Sequence, residues 1–218
     1  MFQEVNGIRI FYEQSGKGKP IILLHGNGES HKIFDEVTER LIDHYTVYAV
    51  DSRGHGESTR VKELSYEAMM EDIAELIRSL KIEKPILYGF SDGGIIGIML
   101  AIKYPDLLSR LIISGANLDP SGIKGRYLMI FRFLYLITKN INYLMMLTQP
   151  HIKPEELKKI TIPTFILAGK KDIIKEEHTM LIAEGIPAST LQILDGENHM
   201  SYVTHNPNLY DIIEPYLD

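Results

Sequence analysis

The sequence predicts an α/β fold: a mostly parallel, doubly wound sheet with an N-terminal antiparallel hairpin and a small helical cap insertion. Three observations carry this. Short apolar runs recur at residues 21–24, 46–50, 86–88, 111–114, 164–168 and 191–194, several of them apolar throughout. That pattern is expected of strands buried on both faces. Segments of helical period lie between the runs, so strand and helix alternate. Roughly fifty residues separate the runs at 111–114 and 164–168, where a crossover needs about a dozen.

Each element follows from its own residues. Asn6-Gly7 is a two-residue hairpin signal, and Ile8, Ile10 and Tyr12 then recur at a period of two. Phe11 falls on the other face, and Gly16-Lys17-Gly18-Lys19-Pro20 ends the strand. The clearest helix spans 65–80, with Tyr66, Met69, Met70, Ile73, Leu76, Ile77 and Leu80 on one face. Ser65 suits its N-cap, and Glu67 the positive end of its dipole. Ile33, Phe34, Val37 and Leu41 mark a second helix, 95–103 a third and 209–217 a fourth, which Pro215 should cut short. The long intervening segment is rich in Met, Tyr, Phe, Leu and Ile, with Pro150 and Pro154 near its end. It is read as a cap of two or three short helices over 117–160, with 1–116 and 161–218 as the core domain; extra core is the alternative.

Composition narrows the function. At 218 residues, 44% hydrophobic and 24% charged, the chain suits a single domain and neither a disordered nor a membrane protein. A net charge of −6 without a Lys/Arg block argues against nucleic acid or anionic lipid as the main partner. The absence of cysteine removes disulfides, thiol catalysis and cysteine-based metal sites. The first residues carry no basic region followed by an apolar run, so a cytoplasmic location is expected. The greasiest stretch, 127–147, is broken by Arg132, Lys139, Asn140 and Asn142 and makes a poor spanning helix. Its pieces 128–131 and 133–137 are expected to line the core or a pocket, without stable membrane association. No sequence feature sets an oligomeric state.

Ligands bind in such sheets where strands deliver their C-terminal ends. The run at 86–88 enters Gly89-Phe90-Ser91-Asp92-Gly93-Gly94 and then a helix. This is G-x-S-x-G between strand and helix, a turn that exposes a serine hydroxyl at a helix N-terminus. A serine needs a base, and the base an acid to orient it. His199 follows the last strand directly, in the loop Asp195-Gly196-Glu197-Asn198-His199, and is the expected base. His178 is read as a surface residue, His151 as part of the cap and His205 as solvated. His25 as base would reverse the usual chain order. Asp172 follows the preceding strand through Gly169-Lys170-Lys171 and is the expected acid, with Asp119 its rival. Backbone N–H groups of Asn27, in His25-Gly26-Asn27-Gly28, and of Asp92 are the expected oxyanion donors. The Asp92 side chain is read as a helix cap, with recognition of a cationic substrate group as the alternative. No phosphate-loop or H-E-x-x-H motif occurs, and no cofactor or metal is expected.

These residues resemble the α/β-hydrolase family across nearly the whole chain. His25-Gly26-Asn27-Gly28, then Asp51-Ser52-Arg53-Gly54-His55-Gly56-Glu57-Ser58, then Gly89-Phe90-Ser91-Asp92-Gly93-Gly94, then Asp172 and His199 stand in the family's order. The resemblance implies a scaffold role for Arg53 and His55, and hydrolysis at Ser91. The chain is short for the family, with the shortfall in the cap. The expected activity is hydrolysis of carboxylic esters of small, largely apolar molecules. An amidase or C–C bond hydrolase on the same triad, a surface-acting lipase and a non-catalytic ligand-binding protein are the alternatives.

Overall fold

The computed structural model describes residues 1–217. Eight strands form one sheet: β1 (Phe2–Val5), β2 (Ile8–Gly16), β3 (Lys19–Leu24), β4 (Tyr45–Val50), β5 (Ile86–Phe90), β6 (Arg110–Ser114), β7 (Thr164–Lys171) and β8 (Ser189–Asn198). Their order across the sheet is β1-β2-β4-β3-β5-β6-β7-β8. β1–β2 and β2–β4 pair antiparallel, and every later pair is parallel. Asn6 and Gly7 turn the hairpin with φ of +46° and +77°, the left-handed pair a twisted two-residue turn requires.

Alternation along the strands builds two cores. Ile22, Leu24, Leu87, Leu111, Ile113 and Ile166 face one, and Ile21, Leu23, Ile86, Tyr88, Ile112 and Phe165 the other. The first core holds α2 (Tyr66–Ser79) and α3 (Asp92–Lys103), and the second holds α1 (Asp35–Leu41) and α7 (Leu209–Ile213). Two further helices, α4 (Gly125–Thr138) and α5 (Ile141–Thr148), lie in the long insertion, and α6 (Glu176–Gly185) follows β7. Ser65 caps α2 by accepting from Ala68 N–H at 3.2 Å. Glu214, Pro215 and Tyr216 form a 3-10 turn after α7, because proline withholds an N–H from the helical ladder.

Two readings need correction. Residues 169–171 and 195–198 extend β7 and β8, with Lys171 opposite Asn198. Ladder pairing between the two tails carries the strands past the apolar run that signalled them. The pieces 128–131 and 133–137 are also not core, although Phe131 of the first lines a cavity. No residue of α4 is buried, and Met129 (70% exposed), Phe133 (62%) and Ile137 (64%) face outward. Among the described residues α5 is the element that packs closely on α4, so a single face of α4 finds a close partner.

Strand order reverses at β3: β4 lies on one side of it and β5 on the other. The loops leaving β3 and β5 therefore part around a crevice at the carboxyl edge of the sheet, where such folds bind ligands.

Candidate active site

β5 ends at Phe90 and the chain turns directly into α3. Ser91, at the turn, has φ +52° and ψ −110°, a conformation that costs a non-glycine residue about 1–3 kcal/mol. The surroundings hold it there. Ser91 N–H donates to Ser114 O at 2.7 Å, and Gly93 N–H to His25 O at 3.2 Å. A Cβ on Gly89 would strike the Gly93 carbonyl, and one on Gly93 the Leu24 carbonyl. The G-x-S-x-G spacing is thus a packing requirement, and it leaves the Ser91 hydroxyl on a cavity wall.

His199 leaves β8 and reaches back over the sheet edge. Its Nε2 lies 3.1 Å from Ser91 Oγ, and its Nδ1 2.7 Å from Asp172 Oδ1. Asp172 is only 2% exposed, and its Oδ1 also accepts from Ile174 N–H at 2.8 Å. An acceptor fixed at Nδ1 keeps the proton there and leaves Nε2 free to accept from the serine. The Phe90 ring sits 5.0 Å from the imidazole, and Gly115, at φ +63°, backs it from β6.

The other candidates lie elsewhere. Asp119 accepts from Ser121 N–H at 2.7 Å and caps a 3-10 turn. His178 is largely buried, contrary to its surface reading, because α6 turns it toward Gly122 and Asp119. His151 and His205 are exposed. His25 ties loops together: its Nδ1 lies 2.7 Å from Gly26 O, and its Nε2 accepts from Ser52 N–H at 3.1 Å. Burial and the neighbouring His55 lower its pKa to about 4, so it stays neutral. Arg53 is spent on Asp72 at 2.6 Å.

Asn27 and Asp92 flank Ser91, and among the described residues neither backbone N–H donates to a protein acceptor. The Asp92 side chain does not cap α3. Oδ1 accepts from the Tyr66 hydroxyl at 2.7 Å and Oδ2 from Asn27 Nδ2 at 2.9 Å. Burial raises the Asp92 pKa, and these two donors partly oppose the rise. The same contact pushes the Tyr66 hydroxyl well above its ordinary range, after burial itself. Asp92 therefore braces the loop that carries Asn27.

The cavity has a volume of about 400 Å³, and its wall includes Ser91, His199, Glu29, Phe131, Tyr143 and Met146. Phe131 of α4 and Tyr143 of α5 stack on its wall with centroids 6.1 Å apart. The insertion is tied down at its base, where Asn142 Nδ2 approaches His55 Nε2 at 3.3 Å and Tyr66 N–H donates to Gln149 Oε1 at 3.2 Å. Glu29 Oε2 accepts from Gly26 N–H at 3.0 Å, and burial raises its pKa.

Sequence reasoning missed Gly115, Glu29 and Tyr66. Gly115 had a usable signal, a glycine directly after a strand at the binding edge. The roles of the other two depend on which distant loop faces them.

A family model described as alpha/beta hydrolase fold matches residues 19–142. The AB hydrolase superfamily protein YisY of Bacillus subtilis is 26% identical over 255 residues, covering 96% of this chain and 95% of that protein. The human serine hydrolase BPHL is 35% identical over 124 residues, which cover 52% of this chain and 41% of BPHL. The solved structure of Est816, described as an N-acyl homoserine lactone degrading enzyme, superposes with a TM-score of 0.84 at 20% identity and covers 100% of both chains. Among the described residues no helix is long and apolar enough to cross a membrane.

Proposed function

Because the chain belongs to the α/β hydrolase fold family, we propose that it is a serine hydrolase that cleaves carboxylic esters of small, largely apolar molecules through an acyl-enzyme. One observation carries the reading: Ser91 Oγ stands 3.1 Å from an imidazole whose far nitrogen is 2.7 Å from a buried carboxylate, at the wall of an open cavity.

Each group takes a role that its position suits. Ser91 Oγ attacks the acyl carbon as His199 Nε2 takes its proton. Asp172 stabilises the imidazolium and fixes its orientation. The carbonyl oxygen gathers negative charge and is held by the N–H groups of Asn27 and Asp92. Removing one such donor in a comparable site costs about 2.7–4 kcal/mol. His199 returns the proton to the leaving alcohol as the tetrahedral intermediate collapses to the acyl-Ser91 ester. Water then attacks that ester with His199 again as base, which releases the acid and restores the serine. Residues 117–160 act as the cap, whose Phe131, Tyr143 and Met146 suit an apolar acyl or alcohol group.

A fluorophosphonate probe tests this directly. The wild type should gain the probe's mass on Ser91 and hydrolyse short p-nitrophenyl esters. Ser91→Ala should do neither, with its thermal unfolding unchanged. Binding of small esters without labelling would instead support a non-catalytic member of the fold. Comparing esters, amides and C–C substrates of one acyl group identifies the bond that is cleaved.

A further inference from the structure

Charge in this chain is segregated in a way that its net value of −6 hides. From Pro120 to Lys153 there is no Asp or Glu, while Lys124, Arg126, Arg132, Lys139 and Lys153 are all basic. The same segment holds α4, the most exposed apolar helix of the fold. Met129, Ile130, Phe133, Leu136 and Ile137 are 49–70% exposed on its outer face. Phe131, which lines the cavity, lies on the inner side. Arg126, Arg132 and Lys139 are exposed beside the apolar stripe, and Arg126 and Lys139 lie over the rings of Tyr127 and Tyr135 at 4.7 and 5.3 Å.

We propose that the outer face of α4 docks the protein on an anionic lipid bilayer, with the apolar stripe entering the interface and the flanking cations meeting lipid phosphates. A helix with an apolar face and Lys/Arg beside it is the composition of an interfacial helix. Contiguous exposed apolar surface marks an interaction site. Charge decides the occupant. Two copies meeting through this face would bring two sets of cations together with no carboxylate between them, whereas an anionic membrane supplies both the apolar phase and the counter-charge. Phe131 of this helix lines the cavity, so docking would bring the cavity close to the bilayer. This reverses the expectation from overall charge, because a helix whose apolar pieces read as core or pocket lining is left largely uncovered by the fold. The proposal concerns binding alone and stands whether or not Ser91 is a nucleophile.

Vesicle flotation tests it, using pure phosphatidylcholine and phosphatidylcholine mixed with phosphatidylglycerol. The wild type should float with the anionic vesicles, remain below with the neutral ones, and release as salt is raised. A Phe133→Asp, Ile137→Asp double variant should bind at least about tenfold more weakly, while p-nitrophenyl ester turnover in solution holds near the wild-type value. An Arg132→Gln, Lys139→Gln variant, which keeps the apolar stripe, should lose binding to the anionic vesicles specifically. Three results would overturn the proposal: no flotation of the wild type with anionic vesicles, flotation of both variants equal to wild type, or a wild-type dimer in sedimentation that the Phe133/Ile137 variant splits without any vesicle binding.

Discussion

Gly115→Ala is the sharpest test of how the candidate site is held. A methyl built on Gly115 would sit 2.7 Å from His199 Cε1, 2.9 Å from Nδ1 and 3.3 Å from Asp172 Oδ2. Carbon atoms rest at about 3.5–4.0 Å, so the imidazole must retreat by about 1 Å. It has little room for this, because its two nitrogens already sit 2.7 Å from Asp172 and 3.1 Å from Ser91. A displacement of about 1 Å in a catalytic group lowers turnover about 100-fold, equivalent to about 2.7 kcal/mol of barrier. The backbone responds separately. With φ at +63°, alanine adds about 1–2 kcal/mol of strain, which in a chain of this size lowers Tm by roughly 2–8 °C. The assay measures kcat and KM on a p-nitrophenyl ester, the rate of fluorophosphonate labelling, and Tm. Gly125→Ala is the control, since a methyl there meets nothing within 4 Å. If Gly115→Ala lowers Tm yet keeps turnover within about twofold of wild type, the glycine does not hold His199 in place.

Other expectations follow from the buried groups around the site. Tyr66→Phe removes the 2.7 Å donor to Asp92 and leaves that buried carboxylate with Asn27 alone; urea unfolding should show a loss of about 1–3 kcal/mol, and an unchanged midpoint would mean that the contact contributes nothing. Burial raises the Glu29 pKa in the folded chain, so the unfolded chain releases this proton first, and stability falls as pH rises from the ordinary carboxylate range up to the folded-state pKa. Glu29→Gln lacks that decline and should gain on wild type over the same interval; parallel curves of midpoint against pH would contradict the placement of this carboxyl. His25, with a pKa lowered to about 4, contributes stability above the ordinary histidine range that is lost as pH falls from about 6.5 toward that value. Histidine ring NMR should show one imidazole that stays neutral until about pH 4, and its titration near the ordinary value would show that His25 is not enclosed.

Much of this was written locally. Apolar runs between turn residues mark six of the eight strands; β3 and β5, covered on both faces, need little else, while β8 shows the same signal as a half-exposed edge strand. Asn6-Gly7 and Ser65 set a turn and a cap through their own backbone preferences and short-range hydrogen bonds. Ser91 was legible because the G-x-S-x-G signature lies within five residues, although the carbonyl that bars a side chain from Gly93 belongs to Leu24 of β3. His199 and Asp172 were legible as the residues that strands deliver to one edge, although the strands run further than their apolar runs suggested. The tertiary structure decided what depends on a partner distant in sequence. Asp92 reads as a helix cap until Tyr66 and Asn27 claim its two oxygens. Gly115 carries no assigned role in the sequence, and gains one when His199 packs on it. The apolar pieces of α4 read as core or pocket lining until the fold leaves most of them exposed. Spacing reports which face of an element is apolar, but only packing across the whole chain determines what that face meets.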